Sequence, residues 1–190
     1  MPRVVVVAYD PAWPAAFEAI RARIAPALAG IAGSIEHVGS TSAPGLAAKP
    51  IIDIDVAVPD SAAAVAAAVA ALATLGYEHR GDLGIAGREA FTAPAGGVFA
   101  HHLYVCREGS LALRNHLALR DYLRAHPADA TEYGSLKQGL AARYPDDINA
   151  YVAGKAPFVL GVLERCGFSA QELAAIAAQN GALWPPVNDA

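Results

Sequence analysis

The sequence predicts an α/β (α+β) fold in which a mixed β-sheet flanked by helices is followed by a C-terminal helical portion. Up to about residue 109, short β-branched runs alternate with segments whose apolar residues recur at helical spacing. After Gly109 the strand-like runs end, and only the helical spacing continues. We therefore divide the chain into an α/β unit over residues 1–109 and a helical portion over residues 110–190, packed on it in one compact domain.

The α/β unit is predicted to contain six short strands and two helices. The first helix begins at Asp10 and Pro11, which supply an N-cap and a first-turn proline, and continues to Leu28. Asp60 or Ser61 caps an alanine-rich second helix that ends at residue 75. The predicted strands span residues 3–8, 34–38, 51–58, 77–80, 89–92 and 101–107.

Prolines divide the helical portion into successive helices. Two helices are predicted over residues 110–126 and 128–144, separated by a proline that breaks the periodicity. Pro145 opens a third, in which an interruption is predicted at Pro157. A last short helix starts at Ser169, and residues 182–190 are interpreted as a tail.

Composition and charge narrow the class of protein. A chain of 190 residues with 55% hydrophobic content can bury a sizeable core. The net charge of −4 gives no basic surface for general nucleic-acid binding, so a nucleic-acid partner is disfavoured. No apolar run reaches the ~20 residues that span a bilayer. We therefore expect no membrane segment. Because Cys106 and Cys166 fit neither a disulfide framework nor a zinc site, we expect reduced thiols in a cytoplasmic protein.

Two carboxylates interrupt an otherwise apolar predicted strand. Asp53 and Asp55 are two residues apart, so their side chains project from the same face, roughly 7 Å apart along the strand. Like charges in an apolar setting are unfavourable unless they stay solvated, share a proton or meet a cation. Oxygen ligands of this kind suit Mg²⁺ or Mn²⁺, so the pair is a candidate metal site. The alternative is a solvated strand face.

A small-residue turn precedes this acidic strand. Exposed backbone N–H groups at Gly39 and Ser40 can hold a phosphate if the turn opens a short helix. A Gly-Ser turn, a spacer and then an acid, an apolar residue and an acid resemble the pattern of the nucleotidyltransferase superfamily. In that superfamily the turn binds the triphosphate of a nucleotide and the acids bind its divalent cations. The resemblance assigns Gly39, Ser40, Thr41 and Lys49 to the nucleotide, and Asp53 and Asp55 to catalysis and metal binding.

A longer resemblance covers nearly the whole chain and is to the GrpB family, placed within that superfamily. The matching blocks are residues 37–54, 9–13, 101–105 and 117–127, together with Tyr133, Lys137, Tyr151 and Lys155. The resemblance implies a nucleotidyltransferase-like sheet. Members also occur fused to dephospho-coenzyme A kinase, which implies a non-catalytic module acting through such a partner as an alternative to an enzyme.

The sequence departs from the superfamily at the expected third carboxylate. Residues 101–105, the strand that should carry it, offer two histidines and no acid. Because His102 shares a strand face with Tyr104, we expect it to face the site as a metal ligand or a general base. Asp82 and Glu89 are other candidates for the missing acid, without a spacing argument.

Several basic residues have both a functional and a structural interpretation. Lys49 either neutralises a phosphate or lies on the surface before a proline. His116, Arg120 and Arg124 follow one another at four-residue spacing and form either a basic stripe facing the nucleotide or a helical charge network, which we favour. Only the family resemblance marks Lys137, Tyr151 and Lys155 as contacts on the acceptor side. Without it they are interpreted as surface residues.

The sequence thus predicts a metal-dependent nucleotidyltransferase. We expect it to transfer a nucleotidyl group from a nucleoside triphosphate to an unknown hydroxyl acceptor, with Mg²⁺ or Mn²⁺ as cofactor. In-line phosphoryl transfer requires mainly positioning and charge neutralisation, which these residue types can supply.

Overall fold

A five-stranded mixed sheet forms the centre of the computed structural model, which describes residues 3–97 and 99–181. The tail predicted over residues 182–190 lies outside the described residues. The strands are β1 (Ser34–Val38), β2 (Ile52–Val58), β3 (Glu78–His79), β4 (Arg88–Thr92) and β5 (His101–Arg107). Their spatial order is β1-β2-β5-β4-β3, with β2 and β5 parallel and the other neighbours antiparallel.

Helices cover both faces of this sheet. They are α1 (Trp13–Ile24), α2 (Ala62–Ala73), α3 (Leu111–Ala125), α4 (Pro127–Arg143), α5 (Ile148–Arg165) and α6 (Ala170–Gly181). Ser61 and Ser110 cap α2 and α3, since each hydroxyl accepts a hydrogen bond from the backbone N–H three residues later. The predicted α/β unit followed by helices is the observed architecture.

The two faces of β2 have different environments because side chains alternate along a strand. Ile52, Ile54 and Val56 point into the main hydrophobic core with residues of α1 and α2. Asp53 and Asp55 point to the opposite face. The i, i+2 spacing therefore places both carboxylates on the side of the sheet that the helical portion covers.

The helical portion packs on this second face through two hydrophobic clusters. Leu113 of α3 contacts Tyr104 of the sheet, and Tyr133 of α4 joins Leu46 and Leu123 in a second cluster. These contacts bring α3, α4 and α5 beside the polar side chains of β2 and β5.

Three local predictions differ from the structure. Residues 3–8 are extended but form no strand of the described sheet: Val7 pairs with Ala48 in an isolated bridge, and the Val4 N–H donates to the Pro145 carbonyl. The first helix begins at Trp13 rather than at Asp10, whose carboxylate instead accepts a hydrogen bond from the Ala12 N–H. The third helix of the helical portion is not interrupted: α5 continues through Pro157, which removes one helical hydrogen bond without ending the helix.

Candidate active site

A cavity of about 520 Å³ lies between the polar face of the sheet and helices α4 and α5. It brings together residues that are far apart in the sequence. The predicted site residues that line it are Gly39, Ser40, Thr41, Lys49, Asp53 and His102. Residues that the sequence did not place there with a firm role also line it, namely Arg88, Tyr104, His116, Lys137, Tyr151 and Lys155. Of the predicted set, only Asp55 lies behind the cavity wall.

The Gly-Ser turn forms one end of the cavity. It is a short 3₁₀-helix over Ser40–Ser42 that begins after Gly39, whose φ of 67° and ψ of −172° are accessible to glycine. The Ser42 hydroxyl donates to the Gly39 carbonyl at 2.6 Å, and Arg124 Nε of α3 donates to the Ser42 carbonyl at 2.9 Å. The turn is therefore held from inside and from the helical portion.

Glycine at position 39 also makes room for the Asp53 carboxylate, because a Cβ there would overlap Asp53 Oδ2. We expect Gly39→Ala to lower the free energy of unfolding by about 2–4 kcal/mol, from backbone strain and displacement of Asp53. Urea denaturation measures this change. Gly30→Ala is the control, since Gly30 also has a positive φ but open space around a Cβ, and equal losses in the two variants would contradict the overlap.

Thr41 lines the cavity, but its side chain is turned toward the protein interior. Its hydroxyl lies 3.0 Å from His37 Nε2, and the His37 ring stacks on Phe17 at 4.7 Å. Burial lowers the pKa of His37 to about 4, so its ring is neutral at physiological pH. Hydrogen bonding and packing account for both side chains, which support the turn.

Asp53 and His102 face each other across the parallel pair β2 and β5. They are register partners, and His102 Nδ1 lies 2.9 Å from Asp53 Oδ1. Burial alone would raise the pKa of Asp53, but the hydrogen bond and charge of His102, with Lys49 and His116, hold it below its usual range. His102 lines the cavity, whereas His101 points to the other face, where it contacts the Tyr77 hydroxyl.

Asp55 is fully buried and is paired with a histidine from the helical portion. His116 Nδ1 of α3 lies 2.7 Å from Asp55 Oδ2. Burial would lower the pKa of His116, but the charge and hydrogen bond of Asp55 raise it above its ordinary value. Asp55 Oδ1 is also buried and has no hydrogen-bond partner within the described residues. One oxygen of this carboxylate is thus left unsatisfied.

The other candidates for a third acid lie away from the cavity. Glu89 Oε2 accepts from His79 Nε2 at 2.7 Å on β4, and Asp82 caps the loop by accepting from the Gly84 N–H. His102 and Tyr104 occupy the β5 positions opposite Asp53 and Asp55. The described part of the chain contains no group of three or more His, Cys, Asp or Glu side chains that could hold a metal ion.

The donor atoms nevertheless fit a divalent cation. A buried carboxylate oxygen without a partner, at Asp55, is costly in the protein alone and would be satisfied by a cation. Asp53 supplies a second carboxylate that reaches the cavity, and His102 supplies an imidazole beside it. Carboxylate oxygens suit Mg²⁺, and the addition of an imidazole suits Mn²⁺ as well.

Three lysines line one side of the cavity. Lys49 follows the turn, Lys137 comes from α4 and Lys155 from α5, and all three line the cavity. Lys137 is 2% exposed and its Nζ has no hydrogen-bond partner among the described residues. Neither Lys137 nor Lys155 is a surface residue, and the interpretation of them as such, made from the residues alone, is wrong.

The three basic residues spaced along α3 have different positions: one lines the cavity and two make structural contacts. His116 lines the cavity and pairs with Asp55. Arg120 pairs with Glu36 at 2.6 Å and with Asp121 at 2.7 Å, and Arg124 bonds the turn as described. The charge-network interpretation therefore holds for Arg120 and Arg124.

Comparison with known proteins assigns the chain to a family. The model of the family described as "GrpB protein" matches residues 3–165, which is most of the chain. This chain belongs to the GrpB family. Among curated GrpB-like proteins, it is 40% identical over 157 residues to the UPF0157 protein YqkA of Bacillus subtilis, covering 83% of this chain. The match spans only 45% of the length of YqkA.

Solved structures give the same family and its fold. The crystal structure of the conserved protein GrpB from Enterococcus faecalis has a TM-score of 0.74 and 35% identity, over 86% of this chain and all of that one. The structure of Cid1 in complex with its short product ApU has a TM-score of 0.55 and 14% identity, over 81% of this chain and 49% of Cid1. At that identity the likeness shows the fold, which is nucleotidyltransferase-like.

Within residues 3–97 and 99–181, no helix combines the length and the apolar composition needed to cross a bilayer.

Proposed function

We propose that this GrpB-family protein is a metal-dependent nucleotidyltransferase that moves a nucleotidyl group from a nucleoside triphosphate to a hydroxyl acceptor. The observation that carries the proposal is the meeting of three kinds of group in one cavity. These are a Gly-Ser turn, the Asp53 carboxylate with Asp55 behind it, and three lysines. A polyanion with a bound cation is complementary to that set.

Each group has a role in this proposal. Backbone N–H groups of the turn at Gly39 and Ser40 bind a phosphate, and Lys137 and Lys155 neutralise the outer part of the triphosphate. Asp53 and Asp55 hold Mg²⁺ or Mn²⁺, which when bound supplies charge neutralisation and orients the attacking oxygen. His102, oriented by its hydrogen bond with Asp53, accepts the proton of the attacking hydroxyl.

A thermal-shift screen of nucleoside triphosphates with Mg²⁺ and Mn²⁺ tests the binding step. A nucleotide at roughly 100 times its Kd should add about 2.7 kcal/mol of stability to the parent. We expect Asp53→Asn to lose the metal-dependent part of that shift, because the amide binds a divalent cation poorly. Asp60→Asn, at an exposed carboxylate outside the cavity, is the matched control and should keep the full shift.

Two results would count against the proposal. A parent without any metal-dependent nucleotide shift is not an enzyme of this class. A shift that survives unchanged in Asp53→Asn means that the nucleotide binds elsewhere. Turnover is then measured as pyrophosphate release across a set of hydroxyl acceptors.

A second candidate function is a non-catalytic nucleotide- or metal-binding module that acts through a partner. The chain is 31% identical over 173 residues to the dephospho-CoA kinase of Mycolicibacterium paratuberculosis, covering 42% of that protein. In addition, His102 and Tyr104 stand where a third carboxylate is expected. Nucleotide binding without pyrophosphate release would favour this function, with a coenzyme A biosynthesis kinase as the partner.

The proposed location is cytoplasmic. Cys106 and Cys166 are both free thiols, as suits a reducing compartment. The net charge is −4, and two arginines of α3 are already engaged, Arg120 with Glu36 and Arg124 with the Ser42 carbonyl. A small molecule is therefore a better acceptor candidate than a nucleic acid.

A further inference from the structure

The most unusual group in the cavity is the Lys137 amine. Its Nζ is buried, faces the cavity and has no hydrogen-bond partner within the described part of the chain. It lies over the face of the Tyr133 ring, with Nζ 4.5 Å from the ring centroid. An amine held in this way, with cavity space in front of it, is arranged for an incoming group rather than for the protein.

The distribution of lysine in the sequence supports this interpretation. The chain has only three lysines against eleven arginines, namely Lys49, Lys137 and Lys155. All three line the same cavity. Arginine would supply a permanent charge and more hydrogen bonds at each position. A buried lysine can lose its proton, whereas arginine stays charged. Lysine therefore allows the charge at this position to change.

The groups around Lys137 decide its charge in the empty cavity. Tyr133 on its own helix and Tyr151 on α5 are both neutral, because burial raises the pKa of each phenol. Lys155 of α5 repels a second positive charge, and Asp53 of β2 attracts one. Burial and Lys155 outweigh Asp53 and lower the pKa of Lys137 to about 6. Near neutral pH the amine is therefore uncharged until a ligand arrives.

We propose that Lys137 is the residue that selects ligands ending in an unesterified, dianionic phosphate, and that it takes up a proton when such a ligand binds. The proton comes from the solvent and forms the ammonium from the amine, with no other bond changed. An esterified terminal phosphate carries one negative charge fewer, so it draws the proton less strongly and binds more weakly. This proposal rests on the proposed function and names the feature of the triphosphate that the cavity recognises.

Calorimetric titration with inorganic triphosphate tests the proton uptake independently of any nucleobase. Binding heats measured at pH 8 in two buffers with different ionisation enthalpies give the number of protons bound. We expect net uptake by the parent and at least about half a proton less for Lys137→Arg, whose guanidinium is charged beforehand. Lys155 is also expected to take up part of a proton when triphosphate binds, because burial and Lys49 lower its pKa to about 8. The difference in uptake between the parent and Lys137→Arg can therefore be smaller than one proton. Arg143→Lys exchanges the same two residue types at an exposed position outside the cavity and should keep the parent's uptake.

The same titration tests selectivity with triphosphate esterified by methyl groups at both ends. The parent should bind this diester at least tenfold more weakly than triphosphate, and Lys137→Met should reduce the preference to below about threefold. Circular dichroism confirms that the variants are folded. Equal proton uptake by the parent and Lys137→Arg would overturn this inference while leaving triphosphate binding in place. Failure of triphosphate to bind the parent would overturn it together with the proposed function.

Discussion

Replacing Asp55 by alanine is expected to lower the free energy of unfolding by about 3 kcal/mol. Breaking a buried charge pair by removing one partner typically costs about 3–5 kcal/mol, because the other group is left without its counter-charge. Here His116 Nδ1 loses its acceptor at 2.7 Å. The loss should lie at the low end of the range, since Asp55 Oδ1 has no described partner and its removal relieves that penalty.

The loss of stability in Asp55→Ala should also depend on pH, and the pKa of His116 determines the direction of that dependence. Asp55 raises the pKa of His116 in the folded state above 6.5, so the pair contributes most below pH 6.5. Its contribution is lost as the pH rises through the folded-state pKa. We therefore expect Asp55→Ala to be more damaging at pH 6 than at pH 9, measured by urea denaturation at both values.

Asp53→Ala is the matched control for this experiment. Its carboxylate has the same kind of histidine partner, His102, but 31% of the Asp53 side chain is exposed against 0% for Asp55. Water can replace much of the interaction that the Asp53 carboxylate supplies to His102, so Asp53→Ala should lower the free energy of unfolding by about 1 kcal/mol. Equal effects of the two substitutions would show that Asp55 is not the buried anchor between β2 and α3.

The outline of the fold and site could be predicted because it depends on local patterns. The alternation of β2 places Asp53 and Asp55 on one face, and glycine at position 39 is required by the turn's backbone geometry. The strand bearing His102 is predicted as one of a pair joined through the proline and glycines of residues 94–97, and its orientation follows from the same alternation. Each of these statements needs only neighbouring residues and the two-residue period of a strand.

The partners of the acids could not be predicted, because they depend on how distant segments pack. His116 is 61 residues from Asp55 in the sequence, and no local pattern favours pairing the two over pairing Asp55 with a cation. Lys137 and Lys155 looked like surface residues because lysine is usually exposed. One signal was available: a chain with only three lysines among many arginines has them all in the blocks that resemble the GrpB family.

Replacing Lys137 by methionine is expected to stabilise the protein at neutral pH while weakening its binding of triphosphate. In the unfolded chain the amine has its ordinary pKa near 10.5, whereas in the fold burial and Lys155 lower it to about 6. Between these values the unfolded chain holds more protons, so Lys137 destabilises the fold, and stability rises with pH over that interval. At pH 7 the penalty is on the order of 2–4 kcal/mol.

Methionine removes this penalty with a side chain of similar length that suits contact with the Tyr133 ring. The gain, measured by urea denaturation, should be largest at about pH 6 and below and should fall toward zero above about pH 10.5, where the parent amine is neutral in both states. Lys155→Met is the control and should gain less, because the pKa of Lys155 is lowered only to about 8. A Lys137→Met variant that is no more stable than the parent at pH 7 would contradict the buried, uncharged amine. A gain in stability coupled to a loss of triphosphate binding would instead mean that the amine is kept in the cavity for its ligand and not for the fold.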